Sequence, residues 1–381
     1  MMKPLLPPLS LYVHLPWCIK KCPYCDFNAH HLKGDLPEQQ YLAQLQRDLA
    51  QELSDVQGRE LISIFFGGGT PSLMSPAFYA ALLQHIESLI PFSQHIEITL
   101  EANPGASDQA NFRGYLAAGI NRLSIGIQSF KDHHLHALGR QHNSAQAIGA
   151  IRDAQRAGFT NINVDLMLAL PEQTPAEALE DLHQAVTLSP THISWYELTI
   201  EPNSVFYSFP PSQPDPDVWA DVEQEGMAFL AQAGFPRYEV SAYASPTFEN
   251  QHNLNYWRFG DYLGIGAGAH GKVTQASGTL LRYQKTRHPQ HYLAAEGHWR
   301  RHAAPIETAD LPFEFMLNAL RLTEGVPSQL FTDTTGLPLS TIASTWQTLQ
   351  AQGLMENTPH RLQCTPKGLQ FLNQVLDAFV F

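Results

Sequence analysis

Three of the chain's four cysteines fall within eight residues: Cys18, Cys22 and Cys25, spaced C-x3-C-x2-C. Thiolates are soft ligands, and clustering of this kind suits an iron–sulfur centre or zinc better than a disulfide framework. Disulfides need an oxidising compartment and an even pairing set, and the sequence offers neither. A structural zinc wants four nitrogen or sulfur ligands in a closed tetrahedron, which His14, His30 or His31 could complete. An iron–sulfur cluster also wants four cysteines, but the fourth, Cys364, is far along the chain. Three thiolates on a four-iron cluster would leave one iron open, and an open iron is a place for a ligand.

Other polar groups recur just beyond apolar runs. Gly67-Gly68-Gly69-Thr70 follows a β-type run, so its backbone amides could approach a ligand closely. The loop lacks the lysine and spacing of a phosphate-binding P-loop, and taken alone it reads as a tight strand-to-helix turn. Glu101 ends another run ahead of Asn103-Pro104; a carboxylate there can grip ribose hydroxyls or simply cap the next turn. Gln128, Arg140 and Asp165 each lie at or just past an apolar strand. A buried strand tolerates a polar residue only when it is paired, so each predicts a ligand or a partner. The run from Gly264 to Gly268 reads as close backbone packing rather than a dinucleotide loop, and Cys364 as a buried core cysteine. His14, His30, His133, His134 and His270 carry no signal beyond ordinary hydrogen-bonded or exposed histidines.

The elements that must position these groups alternate regularly. Strand patterns over Leu9–Leu15, Leu61–Phe66, His95–Glu101, Asn121–Gln128, Thr160–Leu168 and His192–Ile200 are separated by helical patterns. The helical patterns begin at Glu38, Pro76, Asp108, Ser144 and Pro175. Six alternations predict an α/β fold with a parallel sheet, best fitted by a partial (β/α)6 barrel, in which chemistry collects at the C-terminal strand ends. From about Pro312 the chain turns to short amphipathic helices around a hairpin near Leu354–Cys364, which predicts a small, mainly helical, winged-helix-like domain. The expected division is 1–300 for the barrel with its α/β extension and 301–381 for the helical part.

Charge and hydropathy exclude some classes. With 23 basic and 36 acidic residues the net charge is −13, which argues against general affinity for nucleic acid. No Lys or Arg lies between Ser340 and Gln352, so the winged-helix pattern does not predict DNA binding. There is no signal-peptide core and no apolar run of membrane-spanning length, so the expectation is a cytoplasmic protein.

The cysteine spacing directly after a first strand, with the glycine loop and the polar strand ends, resembles the radical S-adenosylmethionine (SAM) superfamily. The resemblance implies a 4Fe–4S cluster on Cys18, Cys22 and Cys25, with SAM chelating the open iron. Within that superfamily the chain is similar, over nearly its whole length, to the oxygen-independent coproporphyrinogen III oxidase group. Tyr12, Tyr24, Gly68, Gly69, Thr70, Glu101, Gln128, Arg140 and Asp165 match positions that line SAM there, and Gln128 and Arg140 bear on a second SAM known in that group. Two features depart from the oxidases: Phe27 stands where they carry a further cysteine, and only about ten residues precede the first strand. His252-Asn253-Leu254-Asn255-Tyr256-Trp257 matches the HNxxYW motif of the haem chaperone (HemW) branch. Imidazole can bind haem iron axially and aromatic rings can pack on a porphyrin, so His252 is the expected haem ligand. This branch implies delivery of haem to haem-dependent, respiratory proteins, a cluster-dependent homodimer and peripheral association with the inner membrane. The competing reading is a coproporphyrinogen III oxidase that carries out radical decarboxylation.

Overall fold

The computed structural model describes residues 3–212 and 215–380. Its centre is β1 (Leu9–Leu15), buried at nearly every position on both faces, as a strand flanked by parallel neighbours must be. After the cysteine loop come α1 (Glu38–Val56), β2 (Leu61–Gly68), α2 (Pro76–Leu89), β3 (Phe92–Ala102), α3 (Ala106–Ala118) and β4 (Arg122–Gln128). The alternation continues through α4 (Ser144–Ala157), β5 (Asn161–Leu168), α5 (Pro175–Thr187) and β6 (His192–Glu197). Local sequence sets the helix ends. Asn143 with Gln146, and Thr174 with Glu177, form reciprocal capping boxes that start α4 and α5, and Gly158 ends α4 in the left-handed conformation.

β1 to β6 pair in order, all parallel. The six expected strands are therefore present, in the expected order. Two extensions lengthen the sheet. Beyond β6, after α6 (Pro216–Gln232), lie the short antiparallel strands β7 (Arg237–Glu239) and β8 (Ala242–Ala244). Beyond β1 lies a seventh parallel strand, β9 (Asp261–Ile265), followed by the antiparallel β10 (His270–Thr274), β11 (Leu280–Lys285) and β12 (Arg300–Pro305). The result is one 12-stranded mixed sheet in the order β12-β11-β10-β9-β1-β2-β3-β4-β5-β6-β8-β7.

The glycine run after β9 packs as close backbone. A Cβ on Gly264 would lie 1.9 Å from the carbonyl oxygen of His270, and one on Gly266 would lie 2.4 Å from that of His14. The extension is also fastened to α1 by buried charge. Lys285 of β11, fully buried, bonds Glu52 at 2.6 Å and also Asp48, and Tyr292 bonds Asp48 at 2.7 Å.

A short helix, α7 (Gln251–Trp257), lies against the starts of β1, β2 and β9. Behind it sits a second hydrophobic core, built by α8 (Leu311–Ala319), α9 (Ser328–Thr335) and α10 (Ala343–Ala351) through Phe315, Phe331 and Leu349. That core takes in Leu254 of α7 and Phe259 after it. The expected division at residue 300 falls inside β12, an edge strand of the large sheet. Near the end, Val326–Pro327 pairs with Arg361–Leu362, and Met355 bridges Cys364, which is the hairpin expected there. Among the described residues no helix is long and apolar enough to cross a membrane.

Candidate functional site

One cavity of about 720 Å3 runs through the partial barrel, a volume within the usual range of small-molecule and cofactor sites, roughly 300–1,000 Å3. Its outer end, at the C-terminal strand ends, is lined by Cys18, Cys22, Cys25, Tyr24, Gly68, Gly69, Thr70, Glu101, Gln128, Arg140 and Asp165. Residues spread over 148 positions are thus gathered at one end because each lies in the C-terminal half of a parallel strand or follows one.

Two of the three thiols are held by a chain of side-chain hydrogen bonds. Thr70 Oγ1 donates to Cys18 Sγ over 3.4 Å, and Asn103 Nδ2 donates to Thr70 Oγ1 over 3.2 Å. Arg140 Nη2 donates to Asn103 Oδ1 at 2.7 Å and to the Gly126 carbonyl at 2.6 Å, while its Nη1 approaches Cys22 Sγ at 3.8 Å. The backbone of Cys25 closes the loop by donating to the Cys22 carbonyl at 3.2 Å. Burial pushes the Cys25 thiol up to about 11 and raises that of Cys18. A metal would reverse that preference, since a coordinated thiol gives up its proton.

The glycine loop differs from expectation in one respect. Its amides are committed within the protein: Gly68 N–H donates to Glu101 at 3.1 Å, Gly69 N–H to the Leu15 carbonyl and Thr70 N–H to the Trp17 carbonyl. The reason is that β2 and β1 stay paired to Gly68, which draws the loop's donors onto the first strand and its continuation. Glycine is required for that approach, because a Cβ on Gly69 would sit 2.5 Å from the Trp17 carbonyl oxygen.

Glu101 and Asp165 are the buried acids of this end. Burial, reinforced by the charge of Asp165, pushes Glu101 up to about 8, with only the Gly68 amide opposing. Burial also raises Asp165, against hydrogen bonds from Asn163 at 2.8 Å and Ser124 at 3.2 Å. Gln128 ends β4 at φ +65°, a strained conformation for a side-chain-bearing residue, and its Oε1 is buried without a hydrogen-bond partner among the described residues. Arg140 Nε is likewise buried and has no partner among the described residues. These orphaned atoms and the three thiols are what a cluster and a polar ligand would satisfy, so the residues fit both.

Two expected site residues are not in the cavity's immediate lining. Tyr12 does not line the cavity; its ring stacks on Phe65 and its hydroxyl bonds His14 at 3.0 Å. It is in register with Phe65 on β2, which does line the cavity, so it faces the barrel interior from β1. His252 does not line the cavity either. It is 1% exposed, with Nδ1 at 2.9 Å from Ser63 Oγ and Nε2 at 2.7 Å from the Tyr256 hydroxyl. Burial, with the charge of Arg122 beside it, lowers its pKa to about 3, so it is neutral and has no ring nitrogen free for iron. The helical period explains this placement: on α7 His252 and Tyr256 share the face toward β2, while Asn253 and Trp257 share the face that lines the cavity.

The chain matches the model of the radical SAM superfamily over residues 12–185 and that of the HemN C-terminal domain over 306–371. It is 50% identical to the heme chaperone HemW of Haemophilus influenzae over 99% of both chains. It is 47% identical to the heme chaperone HemW of Escherichia coli over 98% of this chain and 99% of that one. The chain belongs to the HemW family. The crystal structure of the E. coli coproporphyrinogen III oxidase HemN, itself a radical SAM enzyme, superposes with a TM-score of 0.81 at 23% identity, covering 98% of this chain and 90% of that one. At that identity the match establishes a shared fold and nothing more. Membership of the radical SAM superfamily implies a 4Fe–4S cluster and SAM.

In this HemW-family chain the fold adds a second set of residues, of which the sequence reading quotes only Asn253 and Trp257 within a motif, HNxxYW. The inner end of the cavity is lined by Arg122, Asn163, His192, Glu239, Asn253, Trp257 and Arg321. Asn163 had a readable signal, as a polar residue two before Asp165 on the same strand face. Arg321, contributed by the chain after α8, had none, because only the fold brings it here.

Proposed function

We propose that this chain is a haem chaperone that carries a 4Fe–4S cluster, binds SAM, and hands haem to haem-dependent proteins. The observation that carries the reading is the full-length relatedness at 50% identity to a heme chaperone HemW. The site supports its cofactor side. Cys18, Cys22 and Cys25 would hold the cluster, Thr70 and Arg140 would donate to its thiolates, and Glu101, Gln128 and Asp165 would meet SAM. When bound, the cluster supplies an open iron for the amino and carboxylate groups of SAM. The protein's own part is to orient: the relay through Asn103 holds both thiol partners, and the committed amides of Gly68 to Thr70 leave carbonyl oxygens as the loop's offer to an ammonium group.

The same fold serves a coproporphyrinogen oxidase, so that reading must be separated by experiment. Phe27, 60% exposed on the cavity rim, stands where the oxidases have a further cysteine and can ligate nothing. The test is a visible-spectrum haem titration of the anaerobically reconstituted protein beside a coproporphyrinogen turnover assay. Saturable haem binding without turnover supports the chaperone; turnover without haem binding reverses the assignment.

A further inference from the structure

We propose that the inner end of the cavity is a carboxylate subsite in which Arg122 and Arg321, together with Trp257, receive the propionate groups of haem. The inference rests on the haem-chaperone reading and adds to it where the cargo's charged edge lies.

Arg122 begins β4 and lines the cavity, yet is only 1% exposed. Its Nε and Nη1 have no hydrogen-bond partner among the described residues. A guanidinium carries five donors and cannot shed its charge, so leaving two of its nitrogens unmet in a buried place is costly. Two acids face it, Glu97 and Asp165. Glu97 comes no nearer than 3.8 Å, beyond hydrogen-bond reach, and its other oxygen accepts from the His252 backbone at 3.2 Å. Asp165 is held by Asn163 and Ser124. Neither acid fills the place in front of Nη1.

The second wall of this end is built from a different part of the chain. Arg321 stacks its guanidinium 4.4 Å over the Trp257 ring, with Glu239 at 3.7 Å. Arg321 Nε and Trp257 Nε1 are buried donors without hydrogen-bond partners among the described residues. Unmet donors from Arg122, Arg321 and Trp257 therefore line one cavity, and among the ordinary biological groups a carboxylate answers such a set best, accepting from two N–H groups at once. Trp257 also offers a flat face of the kind that packs on a porphyrin.

Haem supplies carboxylates at one edge of an apolar disc, and SAM supplies one on its amino-acid end, so both sources must be tested. The experiment measures affinities of the anaerobically reconstituted protein for haem, haem dimethyl ester and SAM, in wild type, Arg122→Gln and Arg321→Gln. Wild type should bind haem roughly 10- to 100-fold more tightly than the ester, the range expected for charge-assisted hydrogen bonds, and the variants should lose most of that preference. SAM affinity should stay within about twofold. The wild-type comparison needs no variant, so it stands even if Arg122→Gln fails to fold. Equal affinity for haem and its ester overturns the subsite and leaves the chaperone reading standing. A loss confined to SAM reassigns the subsite to SAM and overturns the proposal. Binding of neither porphyrin overturns this inference together with the reading beneath it.

Discussion

Arg140 Nη2 donates to Asn103 Oδ1 across 2.7 Å, and through that one bond two separate thiol contacts become a single unit. Asn103 passes the connection to Thr70, which donates to Cys18, while Arg140 itself reaches Cys22. Asn103→Ala removes both an acceptor and a donor without touching sulfur. The reconstituted variant should take up iron and sulfide as wild type does, then lose them to a chelator several-fold faster. Equal loss rates would mean that the relay does not support the cluster.

Cys22→Ser tests the cluster assignment directly. An alkoxide is a poor substitute for a soft thiolate, so the brown chromophore should be absent after anaerobic reconstitution, with iron and sulfide near background. A variant that keeps full iron and sulfide would place the cluster on other residues.

The sequence was most informative where local pattern and chemistry coincide. The six parallel strands were readable because each is a short apolar run bounded by turn residues, and the cysteine loop because three soft ligands leave few alternatives. What could not be read was side-chain direction. The HNxxYW stretch is a single helix whose two faces do different work, and only burial of α7 against β2 decides that His252 turns inward while Trp257 lines the cavity. An α/β extension was expected, but not its attachment beside β1, because that is a contact between residues more than 240 positions apart.

Lys285 illustrates such a long-range contact energetically. Its ammonium group is fully buried between Asp48 and Glu52, and Arg300 bonds Glu52 from the other side at 3.0 Å. Replacing one partner strands the remaining charge, which typically costs about 3–5 kcal/mol. Lys285→Met should therefore lower the unfolding midpoint in urea by that equivalent. A variant as stable as wild type would mean that the two acids re-pair with Arg300 or take up protons at no cost.

His252→Ala separates a structural histidine from a haem ligand. The substitution leaves the buried Tyr256 hydroxyl without its 2.7 Å partner and removes a ring packed 5.2 Å from Phe65. Loss of the hydrogen bond and the cavity together should cost about 2–4 kcal/mol of stability. The haem spectrum of the folded variant should keep the wild-type band positions. A shifted Soret band with unchanged stability would return His252 to the iron.

Glu101 gives the metal-free protein a pH dependence of defined sign. Its ordinary value is 4.5, and burial beside Asp165 raises it to about 8 in the folded state. Between those values the unfolded chain has released a proton that the folded chain retains, so stability falls as pH rises and levels off above about 8. Asp165, raised in the same direction, adds to the slope. Glu101→Gln keeps the shape, cannot ionise, and removes the repulsion on Asp165. In thermal melts of cluster-free protein from pH 5 to 8.5, wild type should lose several degrees more than Glu101→Gln, with the two converging at the acidic end. Parallel curves would show that Glu101 is ionised in the fold at neutral pH, held by a donor other than the Gly68 amide.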